Sequence, residues 1–176
     1  GVVCDLSAVP SDRDGHVDLV EERVEAHLGL ATDAHSGVWY LDTGASNHMS
    51  GEEASFSELD RHVTGTVKFG DGSVVDIRGR GSVLFTDHAG GHRVLSGVYF
   101  IPRRKSNNIS IGQLDQIGCR SEIEHVVFTL YDQQRRIVAK VQPPATGCTR
   151  TRSSSRAMLA GHTVRDGRGV EVACQI

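Results

Sequence analysis

Thr66-Val67-Lys68-Phe69-Gly70-Asp71-Gly72-Ser73-Val74-Val75-Asp76-Ile77 reads as two short strands joined by a glycine turn. Thr66 to Phe69 alternates in polarity, and Val74 to Ile77 is rich in β-formers. The Asp-Gly pair between them suits a tight turn that needs positive φ at its centre. The same texture extends in both directions. Val38 to Leu41 is a run of β-formers and Ser82 to Phe85 is another. Ala89-Gly90-Gly91-His92 is a second turn, leading into a longer strand from Arg93 to Ile101 that Pro102 closes. Ile123 to Leu130 and Arg136 to Val141 complete the set. Only Ala54 to Leu59 and the stretch after Gly112 look briefly helical. Many short strands at roughly ten-residue spacing, with glycine turns, predict an all-β fold: a small closed or nearly closed barrel with one or two short helices.

The 176 residues suffice for one domain with extensions. A hydrophobic share of 38% beside 20 glycines excludes a fully disordered chain. No apolar run approaches the roughly 18 residues of a membrane span, so no membrane partner is expected. Charge divides the chain into three. Residues 1–37 carry two Lys/Arg against eight Asp/Glu, residues 38–141 carry twelve of each, and residues 142–176 carry five against two. This pattern predicts an acidic linker over 1–37, a folded barrel over 38–141 and a basic, mostly disordered tail over 142–176. Within the linker, Val17, Val20, Val24 and Leu28 recur at helical spacing and leave room for one short helix. Gly1 opens the chain without a charged and apolar leader, so we expect a piece of a longer polyprotein and no secretory signal. Cysteines 4, 119, 148 and 174 fit neither a zinc pattern nor a disulfide framework, and free thiols in a reducing compartment are expected. The charge is not basic enough to predict nucleic-acid binding.

The chemistry-bearing motif is Asp42-Thr43-Gly44-Ala45, directly after the strand Val38 to Leu41. On its own it is a turn, since Asp and Gly are turn residues. An apolar strand running into it delivers a carboxylate from the interior onto that turn. Asp42 supplies the carboxylate, Thr43 can brace the turn through its hydroxyl, and Gly44 accepts close approach and unusual backbone geometry. Peptide hydrolysis by this route needs two carboxylates sharing one proton, one as general base on water and the other as general acid. The sequence has one Asp-Thr-Gly, so an active enzyme must be a symmetric dimer.

Five blocks stand in order around this motif. They are Trp39 to Met49, Val67 to Ser73, Gly79 to Val83, Val98 to Pro102 and Ser110-Ile111-Gly112-Gln113-Leu114. Together they resemble the protease region of copia-type retrotransposon Pol polyproteins, over roughly residues 38–120 and more weakly to about 141. The resemblance implies a retropepsin-type β-barrel with flexible termini, acting as a homodimer on its own polyprotein. It implies Asp42 as catalytic aspartate, with Thr43 and Gly44 as its supporting turn. Gly70, Asp71 and Gly72 become a candidate flap over a peptide substrate, and Ile111-Gly112 an apolar-Gly element beneath the active-site loop. No metal and no organic cofactor are implied. The implied partners are a second copy of the chain and a polyprotein peptide. The implied setting is the cytoplasm, in the element's virus-like particle; nothing in the chain supports a nuclear one.

The chain departs from that pattern in two places. Asn107-Asn108-Ile109 stands where the family usually shows leucines, and a buried asparagine without partners costs about 1–3 kcal/mol. After Val141 the family continues toward a histidine-containing segment leading to integrase, whereas this tail is rich in Arg, Ser and Gly. A decayed or frameshifted element is the hypothesis, and an intact integrase frame running directly from Val141 in the downstream DNA would refute it. The alternative function is then a catalytically silent barrel, a remnant or an interaction module. Four other features read as ordinary surface or packing. His88 and His92 flank a turn without a third ligand. His48 caps or packs, although it closely follows the Asp42 turn. Pro102-Arg103-Arg104-Lys105 is a solvated basic loop. Asn108-Ile109-Ser110 is an unused glycosylation sequon.

Overall fold

In the computed structural model, residues 4–5, 15–21, 38–86, 90–104, 106–125, 127–141, 156–159 and 171–175 are described. In chain order the strands are β1 (Cys4–Asp5), β2 (His16–Glu21), β3 (Val38–Asp42), β4 (Met49–Ser50) and β5 (Phe56–Asp60). There follow β6 (Thr64–Phe69), β7 (Val74–Ile77), β8 (Gly79–Thr86), β9 (His92–Phe100) and β10 (Asn107–Ser110). The last five are β11 (Arg120–Glu124), β12 (Val127–Tyr131), β13 (Ile137–Val141), β14 (Arg156–Leu159) and β15 (Glu171–Gln175). A 3₁₀ turn over Glu53–Ser55 and one helix, α1 (Ile111–Gln116), are the helical pieces among the described residues. The fold is all-β and barrel-like, as the strand spacing predicts, and no sheet closes fully.

The main sheet runs β14-β15-β3-β10-β4-β9-β8-β5, with β1 beside β9. The smaller sheets are β2-β6-β7 and β11-β12-β13. The opening stretch forms its hairpin: the Gly72 N–H donates to the Phe69 carbonyl at 2.9 Å, and Ser73 N–H donates to Asp71 Oδ1 at 2.8 Å. Gly72 has φ +83, the left-handed geometry that favours glycine. Helix α1 starts where Ser110 Oγ accepts from Gln113 N–H at 3.1 Å, a serine N-cap. Ile111 and Leu114, three apart, bury one face of it.

Two apolar clusters hold the elements together. The larger gathers Trp39, Leu41, Val83, Leu95, Val98, Ile109, Leu114, Phe128 and Val141 among others; the smaller gathers Met49, Val67, Phe69, Ile77, Tyr99 and Ile101. Each fully buried large side chain contributes about 1.5–3 kcal/mol of transfer energy, so these clusters are the main stabilising term.

Several sequence expectations need correction. Residues 16–21 form a strand, not the start of a helix, because β2 pairs in parallel with β6 from His16↔Thr64 to Glu21↔Phe69. The rest of the expected helix, residues 22–28, lies outside the described residues. Ala54 to Leu59 is mostly strand, since Phe56 to Asp60 pairs with β8. Ile123 to Leu130 is two strands rather than one, folded back at His125, whose φ is +48. Apart from these corrections, two short stretches of the tail, residues 156–159 and 171–175, are strands: β14 pairs with β15, and β15 lies parallel to β3. The remainder of 142–176 lies outside the described residues. In the basic loop Lys105 lies outside the described residues, Arg103 is exposed, and Arg104 is half-buried. Its guanidinium stands 5.4 Å from the Phe69 ring centroid, and its Nε donates to the Ser106 carbonyl at 3.1 Å.

Candidate active site

Strand β3 carries the site outward from the core. Trp39 and Leu41 are buried in the larger cluster, and Asp42 ends the strand. Two parallel neighbours flank it, with Ser110 of β10 opposite Asp42 on one side and Gln175 of β15 on the other. The chain then turns sharply. Gly44 N–H reaches back to Asp42 Oδ1 at 2.8 Å, an Asx-type closure that presents the carboxylate to the turn's own backbone. Thr43 and Gly44 are exposed, while Asp42 is 0% exposed.

The second carboxylate oxygen is held from β10: Asn108 Nδ2 donates to Asp42 Oδ2 at 3.1 Å. This revises the meaning of the asparagines. Both are buried, yet neither is idle, since Asn107 Oδ1 accepts from Ser50 Oγ at 2.7 Å. Asn108 Oδ1 does remain without a hydrogen-bond partner, so the expected cost is partly present at that one atom. The pairing was hidden in the sequence because its two members are 66 residues apart.

Around this pair lies a polar shell built from the block Ser110 to Leu114. His48 is 3% exposed, and its Nδ1 accepts from the Ser110 N–H at 2.9 Å, which puts the ring proton on Nε2. Burial pushes the His48 pKa down to about 3, so the ring is neutral at physiological pH. It packs and meets a backbone N–H, as expected of it in spite of its place just after the Asp42 turn. Gln113 bridges the loop: its Oε1 accepts from His48 N–H at 3.1 Å, and its Nε2 donates to Asn47 Oδ1 at 3.1 Å. Glu21 closes the shell from β2, accepting from Ser46 N–H at 2.7 Å and from Asn47 Nδ2 at 3.0 Å. Glu21 escaped the sequence reading, because nothing local ties it to a loop 25 residues away.

Gly70, Asp71 and Gly72 sit at the exposed tip of the β6–β7 hairpin. Ile111 is buried at the start of α1, next to the strand that lines Asp42, and Gly112 follows it in the helix. His92 is exposed, and His88 lies outside the described residues.

No curated protein and no solved structure matches the chain. Residues 39–119, which hold Asp42, His48, Asn108 and Gln113, match the family model described as Pol polyprotein, beta-barrel domain, and this match supports reading that part of the chain as a retroelement Pol polyprotein region.

Proposed function

We propose that this region is an aspartic endopeptidase of a copia-type Pol polyprotein, retropepsin-like in fold and working as a symmetric pair with Asp42 from each copy. The observation that carries the reading is the double anchoring of one carboxylate. Gly44 N–H holds Asp42 Oδ1 and Asn108 Nδ2 holds Oδ2, at the point where a buried strand meets an exposed Thr43-Gly44 turn. Fixed donors of this kind pre-orient a carboxylate before any substrate arrives. In the pair, one Asp42 takes a proton from the attacking water while the other gives its single proton to the scissile carbonyl oxygen; the first then passes the water's proton to the leaving nitrogen, and the second takes its proton back from the tetrahedral intermediate as the C–N bond breaks. The substrate is an extended peptide, held by backbone pairing beneath the Gly70-Asp71-Gly72 tip.

One observation favours a second reading, the catalytically silent barrel: Asp42 is 0% exposed within a single chain, and a general base must meet water. Cleavage of a longer polyprotein segment spanning this region separates the two. The wild type is compared with Asp42→Asn at mildly acidic pH over a range of protein concentrations. Cleavage that rises more steeply than linearly with concentration and vanishes in the variant supports the endopeptidase. A folded wild-type chain that leaves the segment intact at every concentration establishes the silent barrel.

A further inference from the structure

We propose that β2 is a latch joining the β6–β7 hairpin to the loop after Asp42, with Glu21 as its positioning residue. The coupling stands without any cleavage; only its catalytic consequence rests on the endopeptidase reading. Three observations carry it. First, β2 pairs with the whole of β6, and its last residue, Glu21, lies opposite Phe69, immediately before the tip residue Gly70. Second, β2 alternates in burial. His16, Asp18 and Val20 are exposed, while Val17 and Leu19 pack against the smaller apolar cluster. Glu21 continues the inner face, where an apolar residue would be expected, and is 3% exposed. A carboxylate buried at such a position is costly unless donors meet it. Ser46 N–H at 2.7 Å and Asn47 Nδ2 at 3.0 Å meet it, and Gln113 carries the connection on to α1.

The third observation lies on β6 itself. Gly65 has φ +153, and a Cβ there would stand 1.8 Å from the Val17 carbonyl oxygen. Any side chain at 65 would expel β2, so the glycine that interrupts this strand keeps the latch's seat open. The hairpin tip and the Ser46-Asn47 segment are thus tied through one strand, and a tip that closes over a peptide moves the loop beside Asp42 with it.

Backbone amide exchange on the full chain tests this without requiring proteolysis. Glu21→Ala should speed exchange at the Ser46 amide about tenfold or more, the loss expected for a hydrogen bond to a charged group. Glu21→Gln, which keeps one acceptor and the side-chain volume, should recover part of that protection. It also keeps the test open where the alanine variant does not fold. Gly65→Ala touches neither Glu21 nor the loop, yet should loosen Ser46 as well, because it unseats β2. Ser46 protection unchanged in the Glu21 variants would overturn the proposal. So would Gly65→Ala raising exchange along β6 while Ser46 stays protected. In the cleavage assay, Glu21→Gln should lower kcat more than it raises KM. A wild type that never cleaves but whose Ser46 responds as described keeps the latch and discards the endopeptidase.

Discussion

Asp42 and Asp132 are both buried aspartates, and the molecule treats them differently. Asp132 Oδ2 receives Arg93 Nη1 at 2.8 Å and Arg136 Nε at 2.8 Å, while its Oδ1 accepts backbone N–H groups of Gln134 and Arg136 at 2.9 Å each. Burial pushes the Asp132 carboxyl up, but the Arg136 backbone N–H and the two guanidiniums outweigh it and hold the group below its ordinary value. Asp42 is met from Gly44 and Asn108 by uncharged donors, at the edge of an exposed turn. Two guanidiniums around a carboxylate fasten β9 to the β12–β13 hairpin. On Asp42, the Gly44 N–H and the Asn108 amide fix the direction of the two oxygens. Burial alone therefore does not say what an aspartate does: Asp132 joins two guanidiniums, whereas Gly44 and Asn108 meet Asp42 with amide donors.

The contrast can be broken most forcefully at Asp132. Asp132→Ala removes the carboxylate partner of the buried Arg93 guanidinium, whose side chain is 6% exposed, and should cost about 3–5 kcal/mol in denaturant-midpoint measurements. Asp42→Asn keeps the shape and one acceptor oxygen and should cost about 1 kcal/mol in the same measurement. Equal losses in the two variants would make Asp42 a staple too. Acid sharpens the picture next. His48 binds its proton more weakly when folded than when unfolded, so unfolding takes up protons once pH falls below about 6.5. Its stabilisation is present in full above that value and is lost progressively down to about pH 3, amounting to roughly 2 kcal/mol by pH 5. His48→Asn retains an acceptor for Ser110 N–H and should flatten the stability profile between pH 6.5 and 5. Asp132, held below its ordinary value, contributes stability that persists above about pH 4 and fades only in stronger acid. A profile with no slope between pH 6.5 and 5 in the wild type would refute the neutral buried histidine. The smallest effect concerns Asn108. A double-mutant cycle of Asp42→Asn with Asn108→Leu should give a coupling of about 1 kcal/mol, the worth of one hydrogen bond. Asn108→Leu alone should shift stability little, because it removes both that bond and the unpartnered Oδ1.

Much of the fold was legible in the chain because its signals are local. The Gly70-Asp71-Gly72-Ser73 turn, the strand before Asp42 and the short helical stretch around Gly112 each depend on residues within a few positions. What failed to read was decided at a distance. Val17, Val20, Val24 and Leu28 keep helical spacing, but His16 to Leu19 also alternates, and the free edge of β6 selected the strand. Gly65 was the available clue, being a glycine inside a strand with no turn to make. Ile123 to Leu130 hid its fold-back because the turn uses His125 in a left-handed conformation without a glycine to mark it. Asn108 looked like a liability because its partner, Asp42, is remote in sequence and adjacent in space.

By itself, the sequence settled the all-β class, the glycine hairpins, and the placing of one aspartate where an apolar strand runs into a turn. Strand period and turn chemistry are local, and local geometry follows from the residue types in order. Only the tertiary structure decided what surrounds that aspartate: Asn108 on one oxygen, a neutral His48 behind it, and Glu21 reaching in from a strand that the spacing of valines disguised as helix. Hydrogen bonds between buried side chains depend on which strands pair and in which register, and pairing is chosen by burial across the whole chain rather than by any one segment of it.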